Sequence, residues 1–226
     1  DKNQITSNKK VSYKTFIKKW LRDGQRIDLA KEMLKKHKTI LEKVESKYNV
    51  DKEVIVALWG IESLYGKITG DYNVIQSLSS LAYDGRRRKF YEIQLNASMR
   101  LLRKGHVKLE DFKGSWAGAT GHCQFMPSNI PGFAQDFNKD GKADLWNDHA
   151  DIFASIAYLL KKNGWKKGQS IGRLSTTGNQ KSDKYAKIPM KDSPMILKGR
   201  NYKPITRWNN SSLFAAFAII LTNGLR

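Results

Sequence analysis

Three stretches of this chain carry side chains whose types and spacing suit chemistry. The first is Trp59-Gly60-Ile61-Glu62. Ile55, Leu58, Trp59 and Glu62 recur at helical spacing, so the Glu62 carboxylate continues the apolar stripe of its helix and faces inward. Burial disfavours the charged form of a carboxyl and raises its pKa, which is what a general acid needs near neutral pH. On spacing alone, a buried glutamate paired with one of the chain's many arginines fits equally well.

The second stretch runs Gly114-Ser115-Trp116-Ala117-Gly118-Ala119-Thr120-Gly121-His122-Cys123-Gln124-Phe125-Met126-Pro127. Its glycines and small residues permit close backbone approach. Ser115, His122 and Gln124 supply hydrogen-bonding groups, and Trp116 and Phe125 supply flat apolar faces. That combination suits a groove for sugar, and equally a tight contact between helices. His122 and Cys123 invite a thiol and imidazole pair, but adjacent residues on one helix point apart and no third partner is evident, which rules out a cysteine nucleophile.

The third stretch, Asp136 to Asn147, has the spacing of a calcium-binding loop. Asp136, Asn138, Asp140 and Asp144 stand at the first, third, fifth and ninth positions, Gly141 at the sixth, and Lys142 offers its carbonyl at the seventh. The twelfth position is Asn147 instead of a bidentate Glu, so either Asp148 or Asp151 closes the site or the metal binds weakly. Without metal, the same residues make an Asp/Asn/Gly turn held by side-chain to backbone hydrogen bonds. Two smaller features complete the set. Arg86-Arg87-Arg88-Lys89 is a basic cluster at the start of a helix, where positive charge is unfavourable unless an anion answers it. Ile205 to Ser212 offers Trp208 and Asn209 just before a helix capped by Ser211 or Ser212.

The elements that position these residues read as helices. Tyr13, Phe16, Ile17, Trp20 and Leu21 mark one amphipathic helix, and Leu29, Met33, Leu34, Ile40, Leu41 and Val44 a second. A third starts after Asp51 and is stopped by Gly66. Others are expected over Val74 to Ala82, Phe90 to Leu102, Ile152 to Leu160 and Leu213 to Leu221. Strand-like alternation is nearly absent. Between Gly164 and Arg207 the pattern breaks into Gly, Ser, Thr, Asn and Lys, as in Ser175 to Ser182, which reads as loop with a short hairpin. The fold class is therefore mainly α, a single domain over 1–226 with a loop-rich or short β excursion at 165–207 before the last helix.

Composition narrows the classes. Hydrophobic residues at 40% and six Trp exclude a disordered chain. No run of about 18 apolar residues exists, so no membrane span is expected. The single Cys123 rules out an internal disulfide and offers no thiolate cluster for a metal. Asp1-Lys2-Asn3-Gln4 has neither an apolar core nor an initiating Met, so any signal peptide or lipid anchor is expected to be absent from this chain. Forty-one Lys and Arg against 21 Asp and Glu give +20, a field that attracts nucleic acid, anionic lipid or anionic cell wall, or simply a solvated lysine surface.

Taken in order, these segments resemble the membrane-bound lytic transglycosylase B family, whose helical domain is lysozyme-like. The resemblance rests on Trp59 to Glu62, on Arg86 and Arg87 followed by Phe90-Tyr91, on Gly114 to Pro127, on the calcium-type loop and on Arg207 to Asn209, and it covers roughly Leu29 to Leu221. It implies that Glu62 is the catalytic residue and that Ser115 and Gln124 contact the glycan beside it. Arg86, Arg87, Tyr158, Trp208 and Asn209 match positions that line the groove or support the glutamate. Asp136, Asn138, Asp140, Lys142 and Asp151 would hold a structural calcium, with no cofactor for catalysis. Trp208 replaces the usual Tyr, His122 and Cys123 depart from the usual aromatic and Gly, and the 164–207 region is shorter than in the family.

The implied reaction cleaves the β-1,4 bond between N-acetylmuramic acid and N-acetylglucosamine without water, leaving a 1,6-anhydro end. The implied partners are peptidoglycan glycan strands and anionic cell wall, with no specific nucleic acid, for a monomer in the periplasm or cell envelope. One rival is a hydrolytic muramidase of the same fold, needing a positioned water and a second carboxylate such as Asp71 or Asp84. The other is a non-catalytic wall-binding or nucleic-acid-binding protein, supported by charge but by no zinc-finger or RNP-type motif.

Overall fold

The computed structural model describes residues 11–177 and 182–226. The helices among them, numbered in chain order, are α1 (Tyr13–Leu21), α2 (Gln25–Lys36), α3 (Lys38–Tyr48), α4 (Lys52–Ser63), α5 (Val74–Tyr83), α6 (Arg88–Arg103), the short α7 (Ile130–Phe133), α8 (His149–Lys162), α9 (Tyr202–Trp208) and α10 (Ser212–Gly224). The mainly helical expectation holds. No helix among the described residues is long and apolar enough to cross a membrane.

The segment expected to be one helix from Leu29 to Val44 is two, broken at His37, whose φ of −104° and ψ of 18° leave the helical region. Apolar pairs at Met33-Leu34 and Ile40-Leu41 stay in phase across the break, so periodicity could not reveal it. Ser211 is the N-cap of α10, its hydroxyl accepting from Phe214 N. The excursion expected over 165–207, before the last helix, holds the helix α9 at its end and more β structure than a hairpin. Strands β3 (Gly172–Ser175), β4 (Tyr185–Lys187) and β5 (Met195–Lys198) form an antiparallel sheet in the order β3-β5-β4, with Leu174 and Ala186 both opposite Ile196. Strands this short leave almost no alternation to read. Residues 178–181 of the predicted loop, and Asp1 to Gln4, lie outside the described residues.

Contacts group the chain into two compact units, residues 1–57 with 159–226, and residues 58–158. In the first, Leu41, Val44, Ile55 and Ala215 are fully buried. Trp20 stacks on Phe217 at 4.0 Å, with the Arg26 guanidinium 4.7 Å over the indole. In the second, Trp59, Leu78, Leu101, Phe112, Ile130, Leu145, Ile152 and Phe153 are essentially inaccessible, and Phe153 packs edge-on against the Trp59 indole. Each such side chain contributes roughly 1.5–3 kcal/mol by burial.

A buried carboxylate organises the first unit. Asp51, expected as the cap of α4, gives its carbonyl to Ile55 N, while its carboxylate accepts from Trp165 Nε1 at 2.8 Å and Gly168 N at 3.0 Å and faces Arg226 at 3.5 Å. Glu45 and Glu53 lie with Asp51 in one cluster of oxygens, but Lys52 bridges both glutamates and Lys167 meets Glu45, so ammonium groups already neutralise it. Asp51→Ala would leave the Trp165 and Gly168 donors unsatisfied. The expected loss is about 3 kcal/mol, and a melting temperature within a degree of wild type in calorimetry would contradict this account.

Candidate active site

Glu62 is the penultimate residue of α4 and is half-buried. The helix ends abruptly after it. Ser63 Oγ donates to Trp59 O at 3.3 Å and accepts from Gly66 N at 3.0 Å, and Leu64, Tyr65 and Gly66 follow in left-handed conformation with φ of 48°, 60° and 82°. Two non-glycine residues in that region are strained by roughly 1–2 kcal/mol each, and such strain persists only where surrounding structure over-determines it. Here Tyr65, 7% exposed, packs edge-on against Trp59 at 5.2 Å.

The chain then turns onto the second motif. Strand β1 (Tyr72–Asn73) pairs antiparallel with β2 (Lys113–Gly114). At Gly70 an added Cβ would run into the Gly114 carbonyl, so only glycine allows this approach to Ser115. Ser115 Oγ accepts from Ala119 N at 3.1 Å, which leaves the hydroxyl hydrogen free to donate. Gln124, with φ of 48°, donates its amide hydrogens to Thr69 O at 2.8 Å and Gly121 O at 3.0 Å, leaving Oε1 as an acceptor. These bonds tie the turn carrying Gln124 to the segment just beyond Glu62.

His122 and Cys123 are not on a helix, as expected from sequence, but in a turn closed by hydrogen bonds between Thr120 and Phe125 in both directions. Cys123 is fully buried with its Sγ 3.6 Å from Ile152 O. Burial first, and the Glu62 carboxylate second, push its thiol well above the ordinary value, so a thiolate nucleophile is excluded here. Phe125 is core at 3% exposure, whereas Trp116 is 53% exposed.

His122 turns the other way. Trp59 Nε1 donates to His122 Nδ1 at 3.2 Å, and His149 and Phe153 close on the indole at 5.3 and 5.0 Å. Gly66 lies so close over the imidazole that a Cβ would overlap it. A cavity of ≈520 Å³ has His122, Gly66 and Thr69 in its wall, together with Lys142, Asp144 and Trp146. His149, invisible as a site residue in the sequence, joins this cluster because it opens α8.

Among the other expected site residues, Arg86 and Arg87 are exposed ahead of α6, and Arg87 lies 4.3 Å over the Phe90 ring. Arg88 finds the anion the sequence called for, pairing with Glu92 at 2.7 Å. Tyr158 is half-buried on α8 in the same unit as Glu62. Trp208, ending α9, and Asn209 after it belong to the other unit.

The calcium-type loop is folded onto its own backbone. Asp136 accepts from Asp140 N and Gly141 N, Asn138 Oδ1 from Asp140 N, and Asp140 Oδ1 from Lys142 N, all within 3.2 Å. Asn138 Nδ2 reaches Asp148 Oδ2 at 2.9 Å, which brings Asp148 to the closing end. Asp151 is buried, its two oxygens accepting from Phe137 N at 2.7 Å and Asp144 N at 2.8 Å, one on each limb of the loop. Burial, with Asp148 nearby, raises its carboxyl despite those bonds.

Burial and the neighbouring His149, partly offset by Asp144, lower the His122 pKa from 6.5 to about 4. Between those values the unfolded chain binds a proton that the folded protein refuses, so stability is present above the upper value and falls as pH drops through the window. His122→Asn lacks this term. The melting-temperature gap between wild type and variant should narrow from pH 7 to pH 4.5, and a constant gap would contradict a buried neutral imidazole.

Residues 1–192 match the family described as the transglycosylase SLT domain. Membrane-bound lytic murein transglycosylase B of Escherichia coli K12 is 33% identical over 129 residues, a match covering 57% of this chain and 36% of that protein. SltB3 of Pseudomonas aeruginosa, solved in complex with NAG-NAM-pentapeptide, superposes with a TM-score of 0.83 at 30% identity, covering 100% of this chain and 71% of that one. The Escherichia coli lytic transglycosylase Slt35 in complex with calcium shares the fold at a TM-score of 0.77 and 24% identity, covering 89% and 74%. With a match across most of its length, and with the Trp59 to Glu62 helix and the Gln124 turn in one unit, this chain belongs to the transglycosylase SLT domain family.

Proposed function

We propose that this protein is a peptidoglycan lytic transglycosylase of the periplasm or cell envelope, with Glu62 as its single acid and base. The observation that carries this reading is the placement of Glu62 at the strained end of α4, where the chain that follows, at Thr69, accepts a hydrogen bond from the Gln124 amide. As an acid, Glu62 protonates the glycosidic oxygen between N-acetylmuramic acid and N-acetylglucosamine. As a carboxylate it takes the proton from the muramoyl C6 hydroxyl, whose oxygen closes the 1,6-anhydro ring. Gln124 Oε1 accepts and the Ser115 hydroxyl donates to the sugar, while Arg86, Arg87 and Tyr158, in the same unit as Glu62, supply further glycan contacts. The carboxylates a muramidase could recruit, Asp71 and Asp84, are both exposed, which favours the single-glutamate route over water attack.

Glu62→Gln should abolish cleavage while folding and glycan binding persist, a loss of about 10⁴-fold or more because no second acid is at hand. Mass spectrometry of sacculi digested by wild type should show muropeptides with 1,6-anhydro ends, unlabelled in heavy-oxygen water. Labelled reducing ends would establish a water nucleophile, and an active Glu62→Gln protein would remove the acid from Glu62.

A structural calcium belongs to the same reading. The hard oxygen donors Asp136, Asn138, Asp140 and the Lys142 carbonyl fit that ion, with Asp148 at the closing end and Asp151 bracing both limbs. It takes no part in the chemistry. Because an ion that binds only the folded state stabilises it, calcium should raise the melting temperature over chelator, and Asp140→Ala should erase the difference. Equal melting in calcium and chelator would make the loop a plain turn.

A further inference from the structure

The +20 charge is not spread evenly. Residues 1–57 and 159–226 hold 29 Lys and Arg against 10 Asp and Glu, while residues 58–158, the unit of Glu62, hold 12 against 11. The basic unit is therefore a candidate for binding anions in its own right, and one place on it is built for the task. A cleft of ≈370 Å³ is lined by Asn49, Lys166, Lys167, Gln169 and Arg200.

Its floor is fixed. Asn201, fully buried next to Arg200, accepts from Lys166 N at 2.8 Å and donates to Lys166 O and Gln169 O at 2.8 Å each. The Asp51 carboxylate holds the same loop through Trp165 Nε1 and Gly168 N. Lys167 is committed to Glu45 at 3.5 Å, but among the described residues Lys166 and Arg200 have no ion-pair partner and are exposed. A held backbone thus carries two free cations beside two side-chain amides, so binding must order side chains but not the loop itself.

We propose that this cleft binds carboxylates of acidic peptide chains, and so holds the protein on a peptide-bearing wall. This rests on the wall-directed reading above. Arg200 and Lys166 match carboxylate or phosphate alike. The amides of Asn49 and Gln169 decide between them. Each offers an acceptor as well as donors, which the N–H groups of a peptide backbone use and a fully ionised phosphate, with no hydrogen to give, does not. A volume of ≈370 Å³ also suits a short peptide segment better than a lone ion.

The test uses the full chain and calorimetric titration with penta-glutamate, with tripolyphosphate as the phosphate probe. Penta-glutamate should bind wild type, and Lys166→Glu with Arg200→Glu should weaken it about tenfold or more. The control pair Lys19→Glu with Lys31→Glu, exposed on α1 and α2 and equal in charge change, should lose no more than about twofold. Unchanged melting temperatures would show that all variants fold. In a Glu62→Gln background, peptidoglycan stripped of its peptides should pellet less protein than intact wall, and the Lys166 and Arg200 pair should erase that difference. Equal losses for both pairs would leave only diffuse steering and overturn the site. Tighter binding of tripolyphosphate, or equal pelleting on stripped wall, would overturn the carboxylate assignment. Because binding is read without cleavage, a wild type that makes no anhydro ends would refute the catalytic reading while leaving the cleft standing.

Discussion

The hydrogen bond from the Trp59 indole to His122 Nδ1 is the interaction on which the rest of the site depends. Trp59 is 1% exposed and carries a donor that must be satisfied. An imidazole can accept only when neutral, so the bond fixes the tautomer with hydrogen on Nε2, and the depressed pKa of His122 expresses the same requirement. Through it the helix that carries Glu62 is clamped, three residues upstream, to the turn that carries Gln124. Gly66 then settles over the ring because no side chain fits there.

That clamp explains why strain is tolerated beside the carboxylate. Leu64 and Tyr65 in left-handed conformation would relax if the chain could continue as helix. Ser63 seals the last turn, Tyr65 is trapped against Trp59, and Gln124 holds the Thr69 carbonyl from the far side. The turn brings the chain back along β2 within nine residues of Ser63. A longer or straighter exit from α4 would not bring the Thr69 carbonyl to the Gln124 amide.

Charge is divided unevenly between the two units. A dense positive field favours the ionised form of a carboxyl and works against a general acid. The unit of Glu62 has nearly balanced charge, and the excess lies in the other unit. Local burial, rather than the protein's overall field, governs the groups around the turn of Gln124, as the neutral His122 and the raised Cys123 thiol illustrate.

Much of this was legible in the residues themselves. The helical spacing from Ile55 to Glu62 put the carboxylate on an apolar face, the glycines from Gly114 to Gly121 announced close backbone approach, and Asp136 to Asp144 spelled out an oxygen-lined loop, because each signal lies within one stretch of chain whose period or turn chemistry is local. The break at His37 stayed hidden because apolar residues on both sides kept the same phase. The sheet of β3, β4 and β5 stayed hidden because three or four residues cannot display an alternation. His149 beside Trp59, Thr69 beneath Gln124, Asn201 beneath Lys166 and the choice of Asp148 and Asp151 around the loop were decided by tertiary structure alone. Each is a contact between residues far apart or out of register in sequence, set by which polar group is left facing a buried donor or acceptor once the helices have packed, and no local pattern encodes that pairing.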